Sequence, residues 1–161
     1  MKKIIWKRPD GGVSITVPCE PMSESETEQE YLDRIAAKLR EKHPDANGNL
    51  SPSIPAAWVR VADIPEGNIP ADRTFRNAWT WTTPEPVVDI DMAKAKEITK
   101  NRLRAERKPL LEALDVQVMR AQEAGADTSS LIAEKKRLRD ITKLADNATT
   151  LDALKALKLQ K

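Results

Sequence analysis

From residue 92 to about residue 124 the chain consists mostly of strong helix formers, and this run limits the possible folds more than any other feature. Met92, Ala95, Thr99, Leu103, Leu110, Ala113, Leu114, Gln117 and Ala121 approximate one apolar stripe at helical spacing, and Asp91 stands before it as a cap. Pro109 interrupts the run. Its nitrogen has no hydrogen to donate and its ring clashes with the preceding turn, so a kink or a break between two helices is predicted near residues 106 to 108. Gly125 ends this segment, Asp127, Thr128 and Ser129 open the next, and Leu131, Lys135, Leu138 and Thr142 recur along it to about Leu144. Thr149 and Thr150 start a last short helix with Leu151, Leu154 and Leu157. The pattern predicts a helical hairpin or bundle. A helix pair covers only one side of each stripe, so Met92, Thr99, Leu103, Leu110, Leu114 and Leu138 are the candidate interface, and a homo-oligomer or multi-chain assembly is expected.

The first half reads differently. Ile4-Ile5-Trp6 and Val13-Ser14-Ile15-Thr16-Val17 are β-type runs joined by Arg8-Pro9-Asp10-Gly11-Gly12, which predicts a hairpin. Two strands alone bury no core. A covering helix is expected from about Thr27 to Lys42, where Tyr31, Leu32, Ile35, Ala36 and Leu39 share a face. Three overlapping capping boxes precede it: Ser23 with Glu26, Ser25 with Glu28, and Thr27 with Glu30. Residues 43 to 57 are too rich in proline, glycine and asparagine for a regular element and read as loop, after which Trp58-Val59-Arg60-Val61 suits a third strand. Phe75, Trp79 and Trp81 concentrate aromatic area in a chain that is 4% aromatic. They read as core for at least two of the rings, with hot-spot anchoring of a partner as the competing role. The expected class is therefore α+β. A small domain over residues 1–83 precedes a linker and short strand at 84–91, with a stiff joint at 82–86, and a helical segment follows over 92–161.

Little in the chain makes a catalytic centre. Cys19 is the single cysteine, so neither an intrachain disulfide nor a zinc site built on several thiolates can form, and His43 is the single histidine. Nothing in the pattern brings Cys19 and His43 together as a nucleophile and base. Asp89 and Asp91 form a carboxylate pair two residues apart, but their place before a long helix makes them alternative N-caps. Asp140 beside Arg139 reads as a charged helix end. No phosphate-binding glycine loop or calcium-loop spacing is present. No enzyme activity, metal or cofactor is expected.

Charge is spread unevenly: residues 1–83 hold 11 basic and 12 acidic side chains, net −1, whereas residues 84–161 hold 16 and 13, net +3. Lys94, Lys96, Lys100, Arg102, Arg104, Arg107 and Lys108 face only Glu97 and Glu106 in their stretch. A polyanion would suit it, but long basic side chains on a helix commonly solubilise it and cover apolar surface with their stems, so nucleic acid is not the expected partner. The Lys2-Lys3-Ile4-Ile5-Trp6 start lacks the long apolar run of a signal peptide, and no stretch approaches the roughly 20 apolar residues of a membrane span. Synthesis in the cytoplasm, with no membrane partner, is expected.

Two stretches carry a resemblance. Arg104-Ala105-Glu106-Arg107-Lys108-Pro109-Leu110-Leu111-Glu112-Ala113-Leu114-Asp115, followed by Ala133-Glu134-Lys135-Lys136-Arg137-Leu138-Arg139-Asp140-Ile141, resembles a helical hairpin of small proteins encoded in the tail regions of tailed bacteriophages. These include tail assembly chaperones and tail fibre accessory proteins. Arg8-Pro9-Asp10-Gly11-Gly12, Phe75-Arg76-Asn77-Ala78-Trp79 and Asp91-Met92-Ala93-Lys94-Ala95-Lys96-Glu97-Ile98 extend the resemblance to phage and prophage proteins over most of the chain. It implies a virion structural protein of the tail, tail fibre or baseplate attachment, made in the host cytoplasm and partnered by other tail proteins. The alternative it implies is a transient assembly chaperone absent from the mature virion. Chaperone-type sequences tend to place a tryptophan after the aspartate that closes the first helix, whereas Asp115 is followed by Val116-Gln117-Val118. That departure and the additional N-terminal domain favour the structural role. An enzyme acting on host surface polymer through carboxylates is the third and weakest expectation.

Overall fold

A computed structural model describes residues 1–44, 49–82 and 87–159. Contacts divide the chain into two units, Met1–Ile90 and Asp91–Lys161. The strands of the first are Lys3–Lys7 (β1), Val13–Thr16 (β2), Lys42–Pro44 (β3), Leu50–Pro52 (β4), Val59–Ile64 (β5), Trp79–Thr82 (β6) and Val87–Ile90 (β7), with the helix Glu28–Arg40 (α1). The second unit holds Met92–Glu123 (α2), Ser129–Asn147 (α3) and Leu151–Ala156 (α4).

An antiparallel sheet of order β2-β1-β5 organises the first unit. Ile4, Ile5 and Trp6 of β1 are all fully buried, which requires a layer on each face of that strand. On one side Ile4 and Trp6 meet Tyr31, Leu32, Ile35 and Ala36 of α1, together with Ile54. On the other, Ile5 packs with Val13, Ile64, Trp79 and Val88, bringing the β6-β7 ribbon against the sheet. Arg60 pins the first layer by donating to Asp33 of α1 at 2.6 Å and to Asp63 of its own strand at 3.0 Å through Nε. The hydrogen bond from Arg60, followed by one from Gln29, lowers the pKa of Asp33.

Of the three candidate capping boxes, the third starts α1. Thr27 accepts from the Glu30 amide, and the Glu30 carboxylate accepts from the Thr27 amide at 2.8 Å. The Ser23–Glu26 pair closes a turn before it, with the Ser23 amide donating to Glu26 at 2.9 Å.

The expected fold is corrected in both halves. A hairpin or small sheet under one covering helix does not describe the first unit: β5 is the third strand expected near residues 58–61, but the β6-β7 ribbon adds a second layer on the other face. The loop expected from residue 43 is corrected too: β3 and β4 pair in register from Lys42 with Pro52 to Pro44 with Leu50. A two-stranded ribbon consists only of edges, so proline there removes no bond between neighbours on both sides. Residues 45–48 of that loop, and residues 83–86 of the expected stiff joint and linker, lie outside the described residues.

The kinked helical hairpin is the second correction, since α2 continues unbroken from Met92 to Glu123 through Pro109. Both Pro109 and Ala105, whose carbonyl loses its intrahelical donor, are exposed. Water can satisfy that carbonyl, and the strong helix formers on both sides hold the remaining ladder. Gly125, at φ 66°, then closes the helix, with the Ala126 amide donating to the Ala121 carbonyl at 2.8 Å.

Candidate functional site

In the second unit α2 packs against α3 and α4. The buried side chains lie near one end: Ala95, Thr99 and Leu103 of α2, Leu138, Ile141 and Ala145 of α3, then Ala148 and Leu154. Thr99 is tolerated there because its hydroxyl donates to the Ala95 carbonyl at 3.0 Å. Between Leu103 and Leu138 no described residue is buried. Over that distal length Arg107, Leu111, Leu114, Val118 and Ala121 are half-buried at alternating spacings of four and three. Leu131 and Lys135 continue a similar seam into Leu138 of α3.

This placement redistributes the expected stripe. Thr99, Leu103 and Leu138 are covered within the unit, Met92 and Leu114 are half-buried, and Leu110 is 42% exposed. Ala113 and Gln117 are exposed and lie off the seam. The 4-3 alternation of Leu111, Leu114, Val118 and Ala121 was the signal for the true seam; the wider stripe obscured it. Val116 and Met119, three residues apart and therefore neighbours on the helix surface, are 42% and 58% exposed, and Ile132 of α3 is 53% exposed. Aliphatic side chains standing in water on a two-helix layer with no buried core are the main candidate interaction surface.

The basic stretch is largely used inside its own unit. Lys96 donates to the Asp146 carbonyl at 2.7 Å and Lys100 to the Asp146 carboxylate at 2.9 Å, while Arg102 reaches the Leu157 carbonyl at 2.6 Å. Arg107 donates to the carbonyls of Leu138 and Arg139, at 3.2 and 2.7 Å. Glu97 first, then Asp146, raises the pKa of Lys100, which fits a cation held in place by carboxylates. These side chains tie α2 to α3 and to the chain after α4.

Each of the remaining candidates has its own local setting. Asp91 caps α2, accepting from the amides of Ala93 and Lys94 at 2.9 and 3.1 Å, whereas Asp89 lies exposed in β7 opposite Thr80. Asp140 pairs with Lys143 at 2.7 Å, and that hydrogen bond lowers its pKa. Cys19 is exposed; the Nε2 atom of His43 in β3 lies 3.2 Å from the Lys38 carbonyl oxygen. Among the described residues no three His, Cys, Asp or Glu side chains gather to hold a metal ion. No helix of the described residues is long and apolar enough to cross a membrane. Phe75 and Trp79 are buried, while Trp81 is half-buried against the second layer of the sheet.

A feature that sequence reasoning missed lies in the first unit. A cleft of about 410 Å³ runs along β2 and is closed on its other side by residues 66–79. Val13, Ile15 and Trp79 contribute apolar lining, and Lys3, Arg8, Arg73 and Arg76 supply four cations against the carboxylate of Glu66. The turn fixes Arg8: its amide donates to the Gly12 carbonyl at 2.8 Å, and its Nε donates to Asp10 at 3.2 Å. Its guanidinium lies where a side chain on Gly12 would begin, since a Cβ there would fall 2.2 Å from Nη2. No short motif encodes this cleft, because its walls come from segments some 50 residues or more apart that only the folded sheet brings together.

Compared with protein-family models, curated proteins and solved structures, the chain matches none.

Proposed function

We propose that the protein works by packing against other proteins and not by catalysis, as a structural component of the tail, tail fibre or baseplate attachment of a tailed phage. The observation that carries the packing role is the distal part of the α2-α3 pair, which exposes Leu110, Val116, Met119 and Ile132 and has no buried residue between Leu103 and Leu138. Exposed aliphatic area on a layer this thin is stabilised when another protein covers it. Assignment to a phage tail rests on the hairpin resemblance of residues 104–115 and 133–141 and on the patterns at 8–12, 75–79 and 91–98.

Other tail proteins or further copies of the chain are the partners in this reading, which needs no cofactor. Mass spectrometry of purified particles tests it: the protein is expected in mature virions at a reproducible copy number. Presence in infected cells but absence from particles would replace the structural role with that of a transient assembly chaperone. A hydrolytic activity lost together with infectivity in Asp89→Ala, in particles of normal composition, would overturn the non-enzymatic reading.

A further inference from the structure

We propose that β2 is a docking edge for an extended acidic segment of a partner protein, which adds as a strand beside it and places carboxylates among Arg8, Arg73 and Arg76. This goes beyond the packing role of the helical pair and does not depend on it, since every residue involved belongs to the first unit.

Three observations converge on this edge. In the sheet β2 has a single neighbour, β1, so alternate amides and carbonyls of β2 face away from the ladder. The β6 ribbon bridges this side at Gly12–Thr80, beside which the Thr80 hydroxyl donates to the Gly11 carbonyl at 3.1 Å, and Trp79 packs against Val13. Beyond Gly12 the edge borders the cleft. Backbone groups available in this way are what strand addition uses for affinity, with side-chain pockets alongside supplying specificity.

The lining then selects the occupant by charge. Four cations less Glu66 and the Asp10 carboxylate on Arg8 leave a balance of +2 around the cleft. Lys3 and Arg8 have carboxylate partners at 3.6 and 3.2 Å, whereas Arg73 and Arg76 form no ion pair among the described residues. A planar guanidinium binds a carboxylate through two parallel hydrogen bonds, so these two arginines suit acidic side chains. Apolar lining from Ile15 and Trp79 accommodates aliphatic residues alternating with the acidic ones, and the 54% exposed Val17 extends that surface at the end of the strand.

Fluorescence anisotropy on the full chain tests the proposal with three labelled eight-residue peptides. One alternates glutamate and valine, one alternates lysine and valine, and one is the glutamate-valine peptide with alternate backbone nitrogens methylated. Saturable binding of the first is expected, with at least a tenfold loss for each of the other two and slowed amide exchange over residues 13–17 in the complex. An Arg73→Glu/Arg76→Glu double variant is expected to weaken binding at least tenfold without changing the unfolding midpoint. Failure of the first peptide to saturate, or equal binding of the lysine peptide, overturns the acidic partner. Equal binding of the methylated peptide overturns strand addition, and tighter binding of an oligothymidine of equal charge reassigns the cleft to nucleic acid. The peptide comparison on the unaltered chain decides the matter even if the double variant does not fold. Particle composition, which tests the tail role, is measured separately and is independent of any of these outcomes.

Discussion

Single side chains before α1 carry much of the local definition of the first unit. The Arg34 guanidinium, and then the Ser23 amide, lower the Glu26 pKa to about 2. Because the folded value lies below the ordinary carboxyl value, the resulting stability is present above about pH 4.5 and is lost as pH falls toward 2. Glu26→Gln is expected to lower the unfolding midpoint at neutral pH and to flatten the acid limb between those values; parallel limbs in a pH series of melts would remove Glu26 as a contributor. Thr27 makes a similarly local contribution, and Thr27→Ala should cost about 1 kcal/mol in denaturant unfolding through loss of the cap. Candidate boxes at Ser23, Ser25 and Thr27 were all visible in the sequence. Selection of Thr27 follows from where Tyr31 and Leu32 must point to reach Ile4 and Trp6.

At the scale of elements, α2 shows how a strong local rule yields to its surroundings. Proline inside a helix is about 3 kcal/mol less favourable than alanine, yet α2 passes through Pro109 because the affected carbonyl faces solvent and long helical stretches flank it. Pro109→Ala should therefore stabilise the helical unit, by on the order of 1–3 kcal/mol, without changing its architecture; an unchanged or lowered melting temperature would contradict this account. The same helix separates two kinds of leucine. Leu103→Ala removes a fully buried side chain and should cost about 2–5 kcal/mol, as should Leu138→Ala. Leu110→Ala should change isolated stability by less than about 1 kcal/mol, because Leu110 stands 42% exposed. Urea titrations of the three variants distinguish a core position from a surface position directly.

For the molecule as a whole, the division after Ile90 places two different surfaces on one chain: an open, basic sheet edge and a thin helical layer with exposed aliphatic groups. Sedimentation of the full chain is expected to show concentration-dependent association that Val116→Glu with Met119→Glu abolishes while the helical circular dichroism is retained. A monomer at all concentrations would rule out the distal helices as a contact between copies of the chain. The positions of several local elements were already determined by the sequence. Period-two alternation marked β2, helical spacing marked α1 and α3, a capping box marked the start of α1, Gly125 marked the end of α2, and Asp91 marked its start, since each signal involves residues within a turn or two of one another. Tertiary structure alone decided the features that depend on distant partners. Ile4-Ile5-Trp6 reads as a short apolar run whichever face is covered; only the arrival of α1 on one side and of Trp79 and Val88 on the other explains why all three are buried. Likewise, Lys96 and Lys100 in the basic stretch read as a polyanion site or a solvated face until Asp146, some 50 residues later, accepts from both. Periodicity records which side of an element is apolar, and pairing depends on which surfaces meet when the chain closes, so those contacts are absent from any short window of sequence.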